Sequence, residues 1–473
     1  MEELLAAVLV CLLAVPILGF LGSYTRRVRA QLAVHKIGDP AVAHRALIDN
    51  ADDFSDRPVG IFPVSLATWR DGEPNENVTT VSYGRHWSAL RCNLTADILH
   101  PTRLASLAPL QQEAARALVA RLSGAGAEVA DVREHITAAV FALVAQLCFG
   151  EDAAVDDVRA MGSMIRGFLF AAGELSPRFD GSALSKLLNW RGLRGITGMI
   201  RRQGELYLPL IEARRGRRPR LPLCAGGGIP VHPYVDSLLD LRVPDDGEGN
   251  ALRTLRDGEL VGLVLEFLGA GMGSVSACLE WTLAHLIDQP EVQDKLRREI
   301  IAAEGSGQSL RSMPYLDAVV LESLRMHPPV PFIMRGAHGE GAKAIIGGTA
   351  AVVPADGLRV LFNLGDIGRD NKTWTDPDRF RPERFLAGGE AEDIGPSPGP
   401  KEIRMMPFGA GHRHCPGMNM GMLNIKCFLA PLVREFEWAP SAEDCSNGVD
   451  MTEVDGFLKL MKKPLSACVT RTH

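Results

Sequence analysis

The chain has 473 residues, 46% of them hydrophobic and 23% charged. That is enough apolar material to bury a large core, and it rules out a disordered chain. The net charge of −6 offers no attraction to nucleic acid, and the nine cysteines form no CxxC pair, which sets aside zinc and disulfide frameworks in favour of reduced thiols in a cytosol-facing protein.

Leu4 to Gly22 is a run of 19 residues without a charge, about the length that crosses a bilayer core of roughly 30 Å. Glu2 and Glu3 precede it, and Arg26, Arg27 and Arg29 follow. This order is the reverse of a cleavable signal and, by the positive-inside rule, puts the body of the chain in the cytosol. Residues 1–22 are therefore read as a single-pass membrane anchor, 23–38 as a short linker and 39–473 as one main domain, undivided by any long Ser/Gly linker or repeat. On that topology the sequons at Asn77, Asn93 and Asn371 go unglycosylated.

Asp39 and Pro40 supply the cap and first position of a helix running toward Asn50. Most of the chain beyond Asn50 reads as helix, with few and short strand signals. Arg214 to Arg220 reads as a basic, solvated connector, and Asp245 to Asn250 and Gly388 to Pro400 as polar loops. Leu255 to Ile287 is a long helix, apolar nearly all round from Leu260 to Leu268, so it crosses the interior. Met313 to His327 is a shorter helix with Leu316, Val319, Val320 and Leu324 on one face, stopped by Pro328 and Pro329.

The strongest chemical signal is FGAGHRHCPG, from Phe408 to Gly417, followed by a helix-like run from Met418 to Arg434. Gly409 and Gly411 permit tight backbone approach, and Pro416 and Gly417 turn the chain. Cys415 stands just before a helix N-terminus, whose partial positive charge favours thiolate over thiol. A lone cysteine is more often a buried, inert thiol, so it is the surrounding pattern that counts. The segment resembles the haem-binding signature FxxGxRxCxG of the cytochrome P-450 superfamily, matching at Phe408, Gly411, Arg413, Cys415 and Gly417. The resemblance implies a mainly α fold with a small β-rich portion, haem b held through Cys415 as axial iron ligand, and residues 39–473 as the haem-binding catalytic domain.

Three further segments fall in the family's order. Glu322-Ser-Leu-Arg325 is similar to ExxR, and Phe380-Arg-Pro-Glu-Arg384-Phe to the later segment whose arginine closes a structural triad; read alone, Glu322 and Arg325 would be an ordinary i, i+3 pair. Trp87-Ser-Ala-Leu-Arg91 is similar to WxxxR, which implies that Trp87 and Arg91, with Arg413, reach the haem propionates. Ala270-Gly271-Met272-Gly273-Ser274 occupies the place of the oxygen-activating motif, with Gly271 leaving room for dioxygen and the Ser274 hydroxyl standing where threonine is usual. The usual acid is here Gly273, so protons are expected to come through ordered water or a substrate hydroxyl.

By motif position Phe267, Ala270, Gly271, Ser274, Val330, Phe332 and Ile333 line an apolar distal pocket. Tyr234 to Leu241 and the long helix resemble plant microsomal members, family eighty-nine. That implies an endoplasmic-reticulum monooxygenase acting on a small lipophilic substrate, with NADPH electrons delivered by NADPH-cytochrome reductase. A non-catalytic haem protein and a haem-thiolate isomerase or dehydratase remain as other readings, both leaning on Gly273. The resemblance also implies a proline-rich hinge, a helix and two strands before Gly38, where only Ser23 to Gly38 stands. A small sheet short of strands is therefore expected.

Overall fold

The computed structural model describes residues 34–57, 76–126, 128–129, 131–150, 153–175, 183–217, 223, 231–245, 251–306, 309–346, 358–454 and 456–472. The run read as an anchor, Leu4 to Gly22, lies outside the described residues. Within them the chain is mainly helical with small sheets, and the predicted long helix is present as Asp257–Asp288. Its first turn is fixed by Glu259, whose carboxylate accepts the Arg256 N–H at 2.7 Å, satisfying a donor that the helix itself leaves unpaired. Because this helix is apolar nearly all round, it must be sheathed by others. Val132–Phe149 packs most extensively along it, and Val155–Leu175, Trp190–Gly216, Pro314–Met326 and Met418–Glu435 complete the sheath.

Val132–Phe149 and Asp257–Asp288 are both long and apolar enough to cross a membrane, yet both are mostly buried inside the protein. They are core helices by environment. Asp39 caps Pro40–His44 by accepting from the Ala41 and Val42 N–H groups, and a π-helical turn, Arg45–Asp49, carries the chain to Asn50.

Among the described residues the main small sheet has three strands in the order Val34–Ile37, Leu358–Asn363, Phe332–Ala337; the first pair is parallel and the second antiparallel. Val34–Ile37 falls inside the span read as linker, so that span ends in a sheet strand. A second sheet joins Glu128–Val129, Ala467–Arg471 and Phe436–Pro440, and two-stranded ribbons form at Val243–Pro244 with Leu252–Arg253 and at Glu453–Val454 with Leu460–Met461.

The basic connector expected from Arg214 onward is corrected at its start. Arg214 lies within helix Trp190–Gly216 and is buried. Its guanidinium forks onto the buried Asp236 at 2.7 and 2.6 Å and reaches the Phe149 carbonyl at 3.2 Å. A charge so satisfied can leave solvent, which composition alone does not reveal. Two sequon asparagines are also engaged: Asn77 is buried and accepts from the Thr79 and Thr80 N–H groups, and Asn93 donates to Ser237.

Candidate functional site

The Cys415 loop is built by backbone hydrogen bonds. The Cys415 N–H donates to the Phe408 carbonyl at 2.8 Å, Gly409 to Met406 at 2.8 Å and His414 to Gly411 at 3.0 Å. Gly411 is in the left-handed region, φ 72°, and a Cβ there would stand 2.6 Å from the Leu47 carbonyl oxygen, so only glycine lets the loop meet the Arg45–Asp49 turn. Phe408 rests near Gly421 in helix Met418–Glu435.

The helix start does pull the Cys415 thiol down, through the Gly417 backbone and with Arg91, but burial outweighs both and, with Glu266, pushes the thiol up. Coordination to a metal reverses that balance, because it deprotonates a thiol outright.

Glu322, Arg325 and Arg384 come together with side chains wholly buried. Arg325 forks onto Glu322 at 2.7 and 2.9 Å, and Arg384 donates from Nε to Glu322 at 3.0 Å. The triad is wired to the cysteine loop through Trp374. The Arg325, Arg384 and Arg404 guanidiniums lie 5.1, 5.7 and 4.5 Å from its ring centre, and its indole N–H donates to the Arg404 carbonyl at 3.1 Å. Arg404 lies four residues before Phe408.

From Gly258 to Ile287 the central helix is buried except at Glu266, Phe267, Ala270, Gly271 and Ser274. These positions recur at helical spacing and so form one accessible stripe. Ser274 Oγ donates to the Ala270 carbonyl at 2.7 Å. Phe267 stacks on Tyr234 with centroids 4.6 Å apart. Phe332 is exposed, Val330 and Ile333 are half-buried, and Ile333 reaches toward Gly409 in the cysteine loop. Gly273 is off the stripe: a Cβ there would lie 2.5 Å from Leu458 Cδ1, so an acid at this position requires the Leu458 side chain to shift.

Trp87 and Arg91 lie on helix Arg85–Ala96. Arg91 donates to the His414 carbonyl at 2.6 Å, and the Trp87 indole donates to the Val78 carbonyl at 3.2 Å. Arg413, expected to pair with a propionate, donates instead to the carbonyls of Ser55, Val78 and Val81 at 2.5, 3.2 and 2.7 Å, and lies 5.1 Å from the Trp87 ring centre. Buried near it are Arg57 and Arg335. Burial lowers Arg57 and Arg413 to about 10, and the Arg57 charge lowers both Arg413 and Arg335 further.

A guanidinium keeps its proton in proteins, so these depressions reflect the cost of burying cations, which Glu266 and Asp56 only partly offset. Asp56 is 3.8 Å from Arg413, while the Arg57 Nε is buried with no hydrogen-bond partner among the described residues. A surplus of buried cations beside a cysteine loop and an accessible helix stripe fits haem, whose propionates supply the missing anions.

The sequence profile of the family described as "Cytochrome P450" matches residues 22–469. The chain belongs to the cytochrome P450 family. It is 33% identical over 447 residues to "Cytochrome P450 89A9" of Arabidopsis thaliana, covering 91% of this chain and 83% of that one. It is 28% identical to "Cytochrome P450 98A1" of Sorghum bicolor, covering 90% and 80%. It is also 29% identical to the "2-hydroxyisoflavanone synthase" of Glycine max, covering 77% and 68%. Among solved structures, a zebra fish cytochrome P450 with progesterone superposes with a TM-score of 0.69 at 20% identity, covering 92% and 93%, which establishes the fold.

This P450 is a haem-binding monooxygenase. Its site includes groups that the motifs did not select. Arg335 and Glu266 were detectable as lone charges inside apolar runs, Phe332–Ala337 and Leu260–Ala270; Arg57 and Leu458 carried no such mark. One further set, Glu76, His86 and Glu259, brings ligand-type atoms within 4.8 Å of one another. Arg253 already forks onto Glu259 at 2.7 and 2.8 Å, so that charge is met by an ion pair.

Proposed function

We propose that this P450 is a single-pass protein of the endoplasmic reticulum, anchored by residues 1–22 with residues 39–473 in the cytosol. It inserts one oxygen atom into a small lipophilic substrate using NADPH electrons delivered by NADPH-cytochrome reductase. When bound through a thiolate, haem b activates dioxygen, one atom entering substrate and the other leaving as water. The observation that carries the reading is the single accessible stripe on an otherwise buried helix, together with the cysteine loop whose Cys415 sulfur feels the field of Glu266 on that stripe.

Cys415 would hold the iron, and Phe408, Gly411 and Gly417 shape its loop. Arg91, Arg57 and Arg335 would hold the propionates, and Arg413 and Trp87, whose N–H groups are taken by the Ser55, Val78 and Val81 carbonyls, would act on them through charge and packing. Ala270 is exposed on the stripe, whereas a Cβ at Gly271 would stand 3.0 Å from Val144, so Gly271 serves close helix packing rather than leaving room for dioxygen. The Ser274 hydroxyl, held on the Ala270 carbonyl, would turn outward to hand on a proton. With Leu458 against Gly273, those protons come from water or from a hydroxyl of the substrate. Phe267, Val330, Phe332 and Ile333 keep the pocket dry and orient apolar substrate.

The reduced carbon-monoxide difference spectrum of the full chain tests the ligand. A thiolate-type band that disappears in Cys415→Ala is expected; a neutral-ligand band overturns the assignment. Product formation should require both dioxygen and reductase with NADPH. Turnover without either would mean an isomerase or dehydratase.

A further inference from the structure

The accessible stripe is apolar except for Ser274 and one charge. Glu266 sits one helical turn before Ala270. Its Oε2 accepts the Val78 N–H at 3.0 Å, and its Oε1 accepts the Thr79 N–H at 2.8 Å together with the Thr79 hydroxyl. All three donors are uncharged. A carboxylate offers about four acceptor positions, so one is unused among the described residues. The nearby cations whose fields reach Glu266, or feel it, are Arg57, Arg91 and Arg413, the arginines assigned above to the propionates. Burial raises the Glu266 carboxyl despite its hydrogen bonds. A buried carboxylate is costly unless a cation meets it directly, and these arginines act on Glu266 through their fields, without a hydrogen bond to it among the described residues.

We propose that Glu266 is a specificity-determining residue that binds the protonated nitrogen of a lipophilic amine substrate and orients the rest of the molecule along the Ala270–Ser274 stripe. The idea rests on the monooxygenase reading above and narrows its substrate class. The three donors from Val78 and Thr79 fix the carboxylate in place before the ligand arrives, so little ordering is needed on binding. A charge-assisted N–H···O bond to the free acceptor position is stronger than a neutral one in so dry a site. An uncharged lipophile of the same shape would leave that position unpaired.

The test uses full-length, haem-loaded protein and its Glu266→Gln variant, each first checked by the reduced carbon-monoxide spectrum. The probes are a phenyl-bearing lipophilic tertiary amine, too hindered to ligate iron, and its carbon isostere, in which CH replaces the protonated nitrogen. Binding is read from the substrate-induced shift of the haem absorption band. The expected result is that Glu266→Gln weakens the amine about tenfold or more and changes the isostere less than about twofold. Equal weakening of both probes would make Glu266 a tether for Val78 and Thr79 alone and would overturn the proposal. So would an amine that does not bind the wild type, or one that binds the variant as well. A missing thiolate band in the wild type would refute the broader reading and this proposal with it, whereas a normal band without discrimination refutes only the proposal.

Discussion

Replacing Glu322 by glutamine keeps the shape of the side chain and removes its charge. In the structure Glu322 accepts four hydrogen bonds: two from Arg325 at 2.7 and 2.9 Å, one from Arg384 at 3.0 Å and one from the Arg381 N–H at 2.8 Å. Glutamine turns one acceptor into an NH2 that faces an arginine donor. It also leaves Arg325, wholly buried, without its carboxylate, while Arg384 retains Glu390. Breaking a buried ion pair from one side costs about 3–5 kcal/mol, a large share of the 5–15 kcal/mol that typically holds a domain together.

The loss falls on a particular region. Arg325 also holds the Gly368 carbonyl at 2.7 Å and Arg384 the Thr375 carbonyl at 3.0 Å, and both face Trp374, which is tied to Arg404. Release of that segment frees the approach to Phe408 and Cys415. Haem per chain in Glu322→Gln, measured as the pyridine haemochrome, is therefore expected to fall to roughly a tenth or less of wild type, given a penalty of that size. Far-UV circular dichroism should still show most of the helices. A variant with full haem and an unchanged thermal midpoint would refute the reasoning.

Gly273→Asp should destabilise by about 1–3 kcal/mol through overpacking against Leu458, and the double variant with Leu458→Ala should recover much of it; thermal midpoints of the two should differ, and equal midpoints would count against the packing account. His327 is held at about 4 by burial, below its ordinary 6.5, while it bonds Glu453 at 2.9 Å and His285 at 2.9 Å. The unfolded chain therefore takes up the proton first, so stability is complete above about pH 6.5 and is lost as pH falls toward 4, on the order of 3 kcal/mol for that shift. Urea midpoints across this window should slope less in His327→Gln than in wild type, and parallel slopes would exclude His327 as the source. Arg214→Ala takes the forked guanidinium away from the buried Asp236 and should cost about 3–5 kcal/mol, with a fall in the thermal midpoint; a surface-like change below about 0.5 kcal/mol would contradict the burial of the pair.

Local patterns carried much of this architecture. The central helix was readable because its apolar residues run unbroken past the length of any strand, and Pro314–Met326 because prolines bracket an apolar face. The meeting of Glu322 with Arg384 is not local, since they stand 62 positions apart in sequence; only resemblance to a family pattern brought them together. Arg214 misled because it opens a run of basic and turn-forming residues that looks solvated, and its partner Asp236 stands 22 positions away. The arginine surplus near Arg413 was invisible for the same reason, being assembled from separate segments of the chain. Leu458 shows the limit most clearly: an ordinary leucine acquires meaning only from the glycine it covers.

The parallel pairing of Val34–Ile37 with Leu358–Asn363 has a consequence for biogenesis. The two strands are more than 300 residues apart in sequence. At about 5–20 residues per second of synthesis, the first strand leaves the ribosome on the order of half a minute before its partner exists. During that interval its backbone donors and acceptors are open to any passing extended segment. The strand's composition suits the wait: VHKI is short, and His35 and Lys36 at its middle discourage association with other chains. Its partner strand, by contrast, can pair at once with Phe332–Ala337, made seconds earlier. The sheet is thus closed from its late edge, and the earliest part of the described fold is among the last to be locked in place.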